Sequence, residues 1–129
     1  MKKLSKAKII KKLKKQLDKA WSLAVRRKYP RCVVCGRRPT QAHHAIMRRA
    51  QSLGVRWLLS NSVGLCYVCH IHKLHGSSGD KQFLDRYMAI LNDLIPADEQ
   101  QNIIDIGHRV NKFSVQDLEQ MLLELQGTN

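Results

Sequence analysis

Two Cys-x-x-Cys pairs constrain the fold of this chain more than any other feature of its sequence. They are Cys32-Val-Val-Cys35 and Cys66-Tyr-Val-Cys69, and 30 residues separate them. Each pair can supply two thiolates to one ion, and four thiolates about 2.3 Å from the metal are typical of structural zinc. A redox motif or buried free thiols would not require two identical pairs. The spacing therefore predicts a structural Zn²⁺ site that holds the intervening segment in place.

The chain has 129 residues, which suits a single domain with a modest core. We divide residues 1–129 into a basic helix (1–30), a zinc core (31–79) and a helical support or dimerisation region (80–126). Two short strands are expected in the zinc core, one running toward His43 and His44 and one at residues 63–65, followed by a helix from about Cys69. Gly76-Ser-Ser-Gly79 is predicted to form a flexible turn. The expected fold class is α+β.

Apolar residues at helical spacing predict four longer helices. They cover residues 4–28, 80–95 and 98–111, and a last helix follows an N-cap at Ser114 with Asp117 three positions later. Tyr29-Pro30 and Pro96 end the first two of these helices. Each helix has an apolar stripe. The stripe of the first helix consists of Leu13, Leu17, Ala20, Trp21 and Ala24, and that of the second consists of Phe83, Tyr87, Ile90, Leu91 and Leu94. The third stripe consists of Ile103, Ile104 and Val110, and the last of Leu118, Met121, Leu122 and Leu125.

Positive charge is concentrated in the N-terminal half. Residues 1–49 hold 17 basic and 1 acidic side chains, whereas residues 80–129 hold 4 basic and 9 acidic ones, within a net charge of +13. This asymmetry favours a polyanionic partner, because cations that neutralise phosphates gain affinity by releasing counterions. We expect Lys11, Lys12 and Lys15 of the first helix to bind DNA, and a merely solvated basic surface is the alternative. Lysines interrupt the N-terminal apolar residues, so no membrane contact and a cytoplasmic location are expected.

Several histidines lie between and just after the cysteine pairs. His43 and His44 are adjacent, and neighbouring residues on a strand point to opposite faces, so the two side chains suit different roles near one site. Asn61 follows, and His70 comes directly after Cys69. An imidazole that titrates near neutrality can take a proton from water, and a cation can stabilise charge on a phosphate. These residue types therefore suit phosphodiester hydrolysis.

The arrangement of His43-His44, Asn61 and Cys69-His70 between two Cys-x-x-Cys pairs resembles the motif of the HNH (ββα-metal) endonucleases. The resemblance covers about residues 31–76 and implies a metal-dependent enzyme that hydrolyses DNA. It implies that His43 and His70 bind the catalytic ion, which would be Mg²⁺ or another divalent metal, and that His44 is the general base. It further implies that the side-chain carbonyl of Asn61 holds the His44 ring. Many members have Asp at the position of His43, a departure that affects metal preference.

Some HNH members have a further ligand four residues after the final histidine. That position is Leu74 here, and His75 lies one residue later. At about 3.6 residues per turn, a five-residue step leaves the face of an α-helix that a second ligand needs. His75 is therefore an additional candidate ligand, although α-helical geometry argues against it. His72 is a weaker candidate ligand.

The loop between His44 and Asn61 contains Arg48, Arg49 and Arg56. A guanidinium group matches phosphate in a bidentate geometry, so these arginines are expected to contact the DNA backbone. The neighbouring Trp57 is interpreted as a core residue, with a base-stacking platform as the alternative.

A narrower resemblance is to phage recombination nucleases of the lambda Rap (NinG) type. It involves the basic helix with Asp18-Lys-Ala-Trp21, the Arg56-Trp57 pair and the helical tail. It implies a phage or prophage origin, the host cytoplasm as location, and branched DNA such as a Holliday junction as substrate.

The sequence leaves two alternative functions and the oligomeric state open. The chain could be a non-catalytic zinc-knuckle module that binds DNA or RNA, in which the histidines are incidental. It could also be a toxin-like or RNA-directed HNH nuclease. A two-fold homodimer would suit paired cuts, with the helices of residues 80–126 as its interface, although apolar stripes of this kind are more often intramolecular core.

Overall fold

The computed structural model describes residues 4–75, 80–109 and 112–127. Within these residues the fold is mixed α+β, as predicted. The predicted turn at residues 76–79 and the predicted apolar residue Val110 lie outside the described residues. In chain order the elements are α1 (Lys6–Lys28), β1 (Thr40–His43), a 3-10 turn (Leu53–Val55), β2 (Val63–Cys66), a π-helix (Val68–Leu74), α2 (Lys81–Leu94), α3 (Ala97–Arg109) and α4 (Val115–Gln126).

Helices α1 and α4 pack against each other and form one core of the molecule. The Ser5 hydroxyl caps α1 by accepting from the Lys8 N–H, and the helix ends at Tyr29 as the Tyr-Pro pair predicts. The predicted stripe of α1 is buried, and Leu118 and Leu125 of α4 pack on it. The predicted N-cap of α4 is confirmed as a capping box between Ser114 and Asp117. The apolar side of α4 is thus intramolecular core, and a homodimer stays a prediction.

Strands β1 and β2 form a two-stranded antiparallel sheet in which Thr40 pairs with Cys66 and His43 pairs with Val63. The end of α1 lies directly on this sheet. A Cβ atom at Gly64 would lie 2.5 Å from the Cβ of Tyr29, so this close approach requires glycine. The hydroxyl of Thr40 also donates to the carbonyl of Tyr29 at 2.6 Å. These contacts fix the sheet against the basic helix.

Helix α2 packs on the zinc core with Phe83, Tyr87 and Leu91, which are buried as predicted. Leu94 was predicted on the same face, but it is 43% exposed. The helix ends at Leu94, and the chain then turns so that Ile95 is buried instead. Helix α3 starts at Ala97, after Pro96, and buries Ile103. None of the described helices is both long and apolar enough to cross a membrane.

Candidate metal centre

The four cysteines meet in one cluster, as their spacing predicted. Their Sγ atoms lie within 4.8 Å of one another, and those of Cys35 and Cys66 are 3.4 Å apart. Four sulfurs at about 2.3 Å from a tetrahedral zinc ion would be about 3.8 Å apart. All four are free thiols rather than disulfides. The donor set and its spacing fit a structural Zn²⁺ ion.

Local backbone geometry brings the two pairs together. Gly36 has a φ of +76°, which lets the chain reverse directly after Cys35, and its N–H donates to the carbonyl of Cys32 at 2.9 Å. The Val33 N–H donates to the carbonyl of Gly64 at 3.1 Å, so the first pair is tied to β2. At the second pair the Cys69 N–H points at Cys66 Sγ, 3.5 Å away.

The cysteines of this cluster differ in how easily their thiols ionise. Burial and the neighbouring thiols raise the pKa of Cys69, and burial raises the pKa of Cys35. Burial also opposes ionisation of Cys32, but the backbone N–H groups around its sulfur outweigh it and lower the pKa of Cys32 to about 7. A divalent ion bound by the four sulfurs would supply positive charge that favours their thiolate forms.

Three histidines form a second cluster. His43 ends β1, His70 lies in the π-helix and His75 follows that helix. Their ring nitrogens approach within 4.8 Å of one another, and the ring centroids are 4.8 to 5.2 Å apart. The predicted pairing of His43 with His70 is therefore present, and His75 joins it.

The π-helix explains why His75 joins the cluster. The His75 N–H donates to the carbonyl of His70 at 3.1 Å, a bond over five residues instead of four. In such a wider turn the residue five positions on lies above the first one. The geometric argument against His75 assumed an α-helix and is wrong for this segment. The ring of His72 instead contacts Tyr67, with centroids 5.1 Å apart.

Gln41 orients one of these histidines and was not predicted as a site residue. The Nδ1–H of His70 donates to Gln41 Oε1 at 2.8 Å. This bond leaves Nε2 of His70 unprotonated in the neutral ring, which is the form that binds a metal. Gln41 lies two residues before His43 on β1, so both side chains share one face of the sheet. That alternation is the signal in the sequence that could have identified it.

Burial keeps His43 and His70 neutral. It lowers the pKa of His43 to about 3, with a further contribution from the positive charge that His70, His75 and His44 would carry. Burial and the proximity of His75 lower the pKa of His70. At neutral pH these two imidazoles are therefore unprotonated and available as ligands.

His44 has different partners from His43, as strand alternation predicted. Its ring stacks on Trp21 with a centroid distance of 4.0 Å and an interplanar angle of 12°. Its Nε2–H donates to the carbonyl of Arg56 at 2.7 Å. A carbonyl only accepts, so Nε2 carries the proton and Nδ1 of the neutral ring can accept one. Burial lowers the pKa of His44, which keeps the ring in this form.

Asn61 does not hold the His44 ring, contrary to the prediction from the HNH resemblance. Asn61 is completely buried, and its Oδ1 accepts from the N–H groups of Ile46 and Met47 at 2.7 and 3.1 Å. Its Nδ2 donates to the Met47 carbonyl at 2.7 Å. The oxygen is thus used to fix the loop after His44, and the Arg56 carbonyl orients the imidazole instead.

The histidine cluster and His44 line the same cavity, which has a volume of about 440 Å³. Arg48 and Arg49 are exposed and also line it, as the prediction of phosphate-binding residues requires. Lys11, Lys12 and Lys15 are exposed on α1, whose residues Asp18, Trp21 and Ser22 form one wall of the cavity. A cavity with cationic rim residues and neutral imidazoles is suited to a phosphate-bearing ligand.

Arg56 is the exception among the predicted phosphate contacts. Its guanidinium binds Asp18 in a bidentate geometry at 2.9 and 2.6 Å, and only 19% of its side chain is exposed. Trp57 is buried, confirming its assignment to the core, and its Nε1–H donates to the same carboxylate at 2.8 Å. Burial opposes ionisation of Asp18, but the hydrogen bonds from Arg56 and Trp57, together with the positive charges of Arg56 and Arg49, lower its pKa. Because Arg56 and Asp18 are 38 residues apart, local sequence patterns do not reveal the pair.

Comparison with known proteins finds no matching family model and no significantly similar curated protein or solved structure.

Proposed function

We propose that this protein is a metal-dependent endonuclease of the HNH type that hydrolyses phosphodiester bonds in DNA. One observation carries the proposal: an imidazole with an accepting nitrogen, His44, lines the same cavity as a cluster of three imidazoles. A general base beside a candidate cation site is the minimum that phosphodiester hydrolysis requires.

In the proposed reaction Nδ1 of His44 accepts a proton from water. The water oxygen forms a bond to phosphorus as the bond from phosphorus to the leaving oxygen breaks. Trp21 and the Arg56 carbonyl keep the His44 ring in the required orientation and tautomer. A divalent ion held by His43, His70 and His75 would stabilise the negative charge on the phosphate and on the leaving oxygen.

The composition of the cluster bears on the choice of metal. Imidazoles suit zinc, nickel and similar ions, whereas Mg²⁺ is bound mainly by carboxylates, carbonyls and water. The clustered side chains are all histidines. We therefore favour Zn²⁺ or Ni²⁺ over the Mg²⁺ expected from the family resemblance, and retain Mg²⁺ in the test.

Charge supports DNA as the partner. Arg48 and Arg49 line the cavity, and the exposed lysines of α1 lie on the helix that forms one of its walls. The residues of the narrower resemblance, Asp18, Trp21, Arg56 and Trp57, contact one another or His44. Their clustering supports a recombination nuclease acting on branched DNA.

Cleavage of a supercoiled plasmid tests the proposal, with Mg²⁺, Mn²⁺, Ni²⁺ and Zn²⁺ added in turn. Replacing the base, in His44→Ala, should lower the cleavage rate about 10²- to 10⁴-fold and leave DNA affinity within about twofold. His72→Ala is the matched control, because this exposed histidine lies in the same segment but outside the cluster. It should cut like the wild type.

Unchanged nicking by His44→Ala would remove that residue from the mechanism. Tight DNA binding by the wild type without cleavage in any of the metals would favour the non-catalytic zinc-knuckle module. Rates on linear duplex, four-way junction and RNA substrates would distinguish a recombination nuclease from the toxin-like and RNA-directed alternatives.

A further inference from the structure

A second, smaller groove lies next to the proposed catalytic cavity. It has a volume of about 170 Å³, and its walls include Arg37, Arg38, Gln41 and Tyr67. Gln41 lines this groove while its amide oxygen holds His70, which lines the cavity. The hydrogen-bonded side chains of Gln41 and His70 therefore connect the groove with the cavity.

The cysteine cluster fixes both walls of this Tyr67 groove. Arg37 and Arg38 follow the first cysteine pair, and Tyr67 directly follows Cys66. The sulfurs of Cys35 and Cys66 are 3.4 Å apart, and the Cys32 N–H donates to the carbonyl of Arg37 at 3.0 Å. The groove is thus built on the most constrained part of the chain.

The groove combines an aromatic surface with cations that have no acidic partner. Tyr67 is 54% exposed, and its contact with the ring of His72 is edge-on, at an interplanar angle of 80°. Arg37 and Arg38 are exposed, and the structure gives them no carboxylate partner among the described residues. The groove thus offers a partly open aromatic ring beside two guanidinium groups.

We infer that the Tyr67 groove binds an unpaired nucleotide of the DNA substrate, with the base stacked on Tyr67 and the phosphate held by Arg37 and Arg38. The inference rests on the proposed function. Aromatic rings stack on bases of any sequence, and guanidinium groups bind phosphate. Bases in an intact duplex are covered on both faces by their neighbours, so only an unstacked base can reach Tyr67. Charge complementarity favours a phosphate-bearing ligand over an uncharged aromatic one.

The position of the groove narrows the substrate class. Because Gln41 lines the groove and is hydrogen-bonded to His70, which lines the cavity, an unpaired nucleotide held in the groove would lie near the proposed scissile bond. The expected substrates are DNA strands that carry unpaired nucleotides near the cut, as branched or single-stranded DNA does, rather than a continuous duplex.

Binding measurements on full-length protein test this inference. The probes are a short fluorescent oligothymidine, the same oligothymidine with abasic sites, and a duplex of equal length, all measured by anisotropy at one salt concentration. All variants carry His44→Ala and are measured without added divalent metal, and gel electrophoresis of the probes after each measurement verifies that they are intact. Tyr67→Ala removes the stacking surface, and Tyr67→Phe is the matched control that keeps it.

Tyr67→Ala should bind oligothymidine about 5- to 150-fold more weakly than Tyr67→Phe, as expected for the loss of one stacked base. The two variants should bind the abasic oligonucleotide and the duplex equally, within about twofold. Equal affinities for oligothymidine would overturn the inference. So would an equal loss on the abasic probe or the duplex, since either would mean that Tyr67 does not contact a base. These affinities do not depend on whether His44 is the base, so the two proposals can fail separately.

Discussion

The cysteine cluster and the histidine cluster both lie within residues 32–75, but they differ in burial and in the number of donor groups. Three of the four cysteines are buried, and the cluster offers four donors. The histidine cluster offers three donors, includes the exposed His75 and lines a cavity of about 440 Å³. Zinc sites with four protein ligands are structural, whereas sites with three leave a position for water or substrate. The cysteine cluster therefore fits a structural site, and the histidine cluster could hold an ion that keeps an open coordination position.

The two clusters are also physically coupled. Cys69 and His70 are adjacent in the π-helix, and Cys66 ends the strand that pairs with β1. Closing the cysteine cluster therefore places His70 next to His43. We expect the histidine cluster to form only when the cysteine cluster is intact. The cysteine cluster should form without the histidine cluster.

Loss of the cysteine cluster should have the largest effect. Cys66→Ser removes one buried thiolate, and structural zinc contributes about 10 to 16 kcal/mol of apparent binding free energy in small zinc domains. We expect residues 31–75 to lose their fold, which circular dichroism and zinc content would detect. His75→Ala is the matched change in the other cluster, and it should keep the zinc and melt within a few degrees of the wild type. Equal melting temperatures of Cys66→Ser and the wild type would contradict a structural role of the cysteine cluster.

The orientation of His70 gives the next effect in size. Gln41→Ala removes the acceptor for Nδ1, and loss of such a partner typically weakens metal binding about 10- to 100-fold. Gln41→Glu keeps an acceptor and should bind at least as tightly as the wild type. Competition against a chelating dye measures both, and the zinc of the cysteine cluster should stay bound throughout. The same loss in both variants would mean that Gln41 acts through the fold and not through this bond.

The smallest of these effects is a dependence of stability on pH. At pH 7.5 the His43 ring is almost entirely neutral in both the folded and the unfolded chain, so it contributes little pH dependence there. As the pH falls, the unfolded chain binds a proton that the folded chain, with a pKa of about 3, does not. Between pH 7.5 and pH 5 the free energy of unfolding should decrease by roughly 1 to 2 kcal/mol more in the wild type than in His43→Gln. Urea titrations at the two pH values measure this difference, and parallel losses would contradict the burial of a neutral ring.

Short-range patterns in the sequence predicted the cysteine cluster and most of the fold. The Cys-x-x-Cys spacing brings two thiolates together within each pair, so only one long-range approach had to be inferred. The apolar stripe of α1 agrees with the structure because it depends on local periodicity. The strand predicted at residues 63–65 is found at Val63–Cys66, where all four residues are buried and burial does not alternate.

The histidine cluster was predicted less completely, because its geometry depends on features that have no periodic signal. The i to i+5 bond at His70 makes His75 a neighbour, which α-helical spacing had argued against. The Arg56 carbonyl replaced Asn61 as the partner of His44, since the backbone N–H groups of the buried loop bind the amide oxygen. Arg56 itself was paired by Asp18, which comes from a distant part of the chain.

The most direct test of the proposed cation site at the histidine cluster is a metal titration of protein that already carries one zinc ion per chain. Co²⁺ is the probe, and its visible absorption reports coordination by histidine nitrogen. We expect one further equivalent of bound Co²⁺ in the wild type and in His72→Ala, and none at the same concentrations in His43→Ala. Saturation at zero further equivalents in the wild type, or an unchanged second equivalent in His43→Ala, would contradict the claim that these imidazoles form a cation site beside His44.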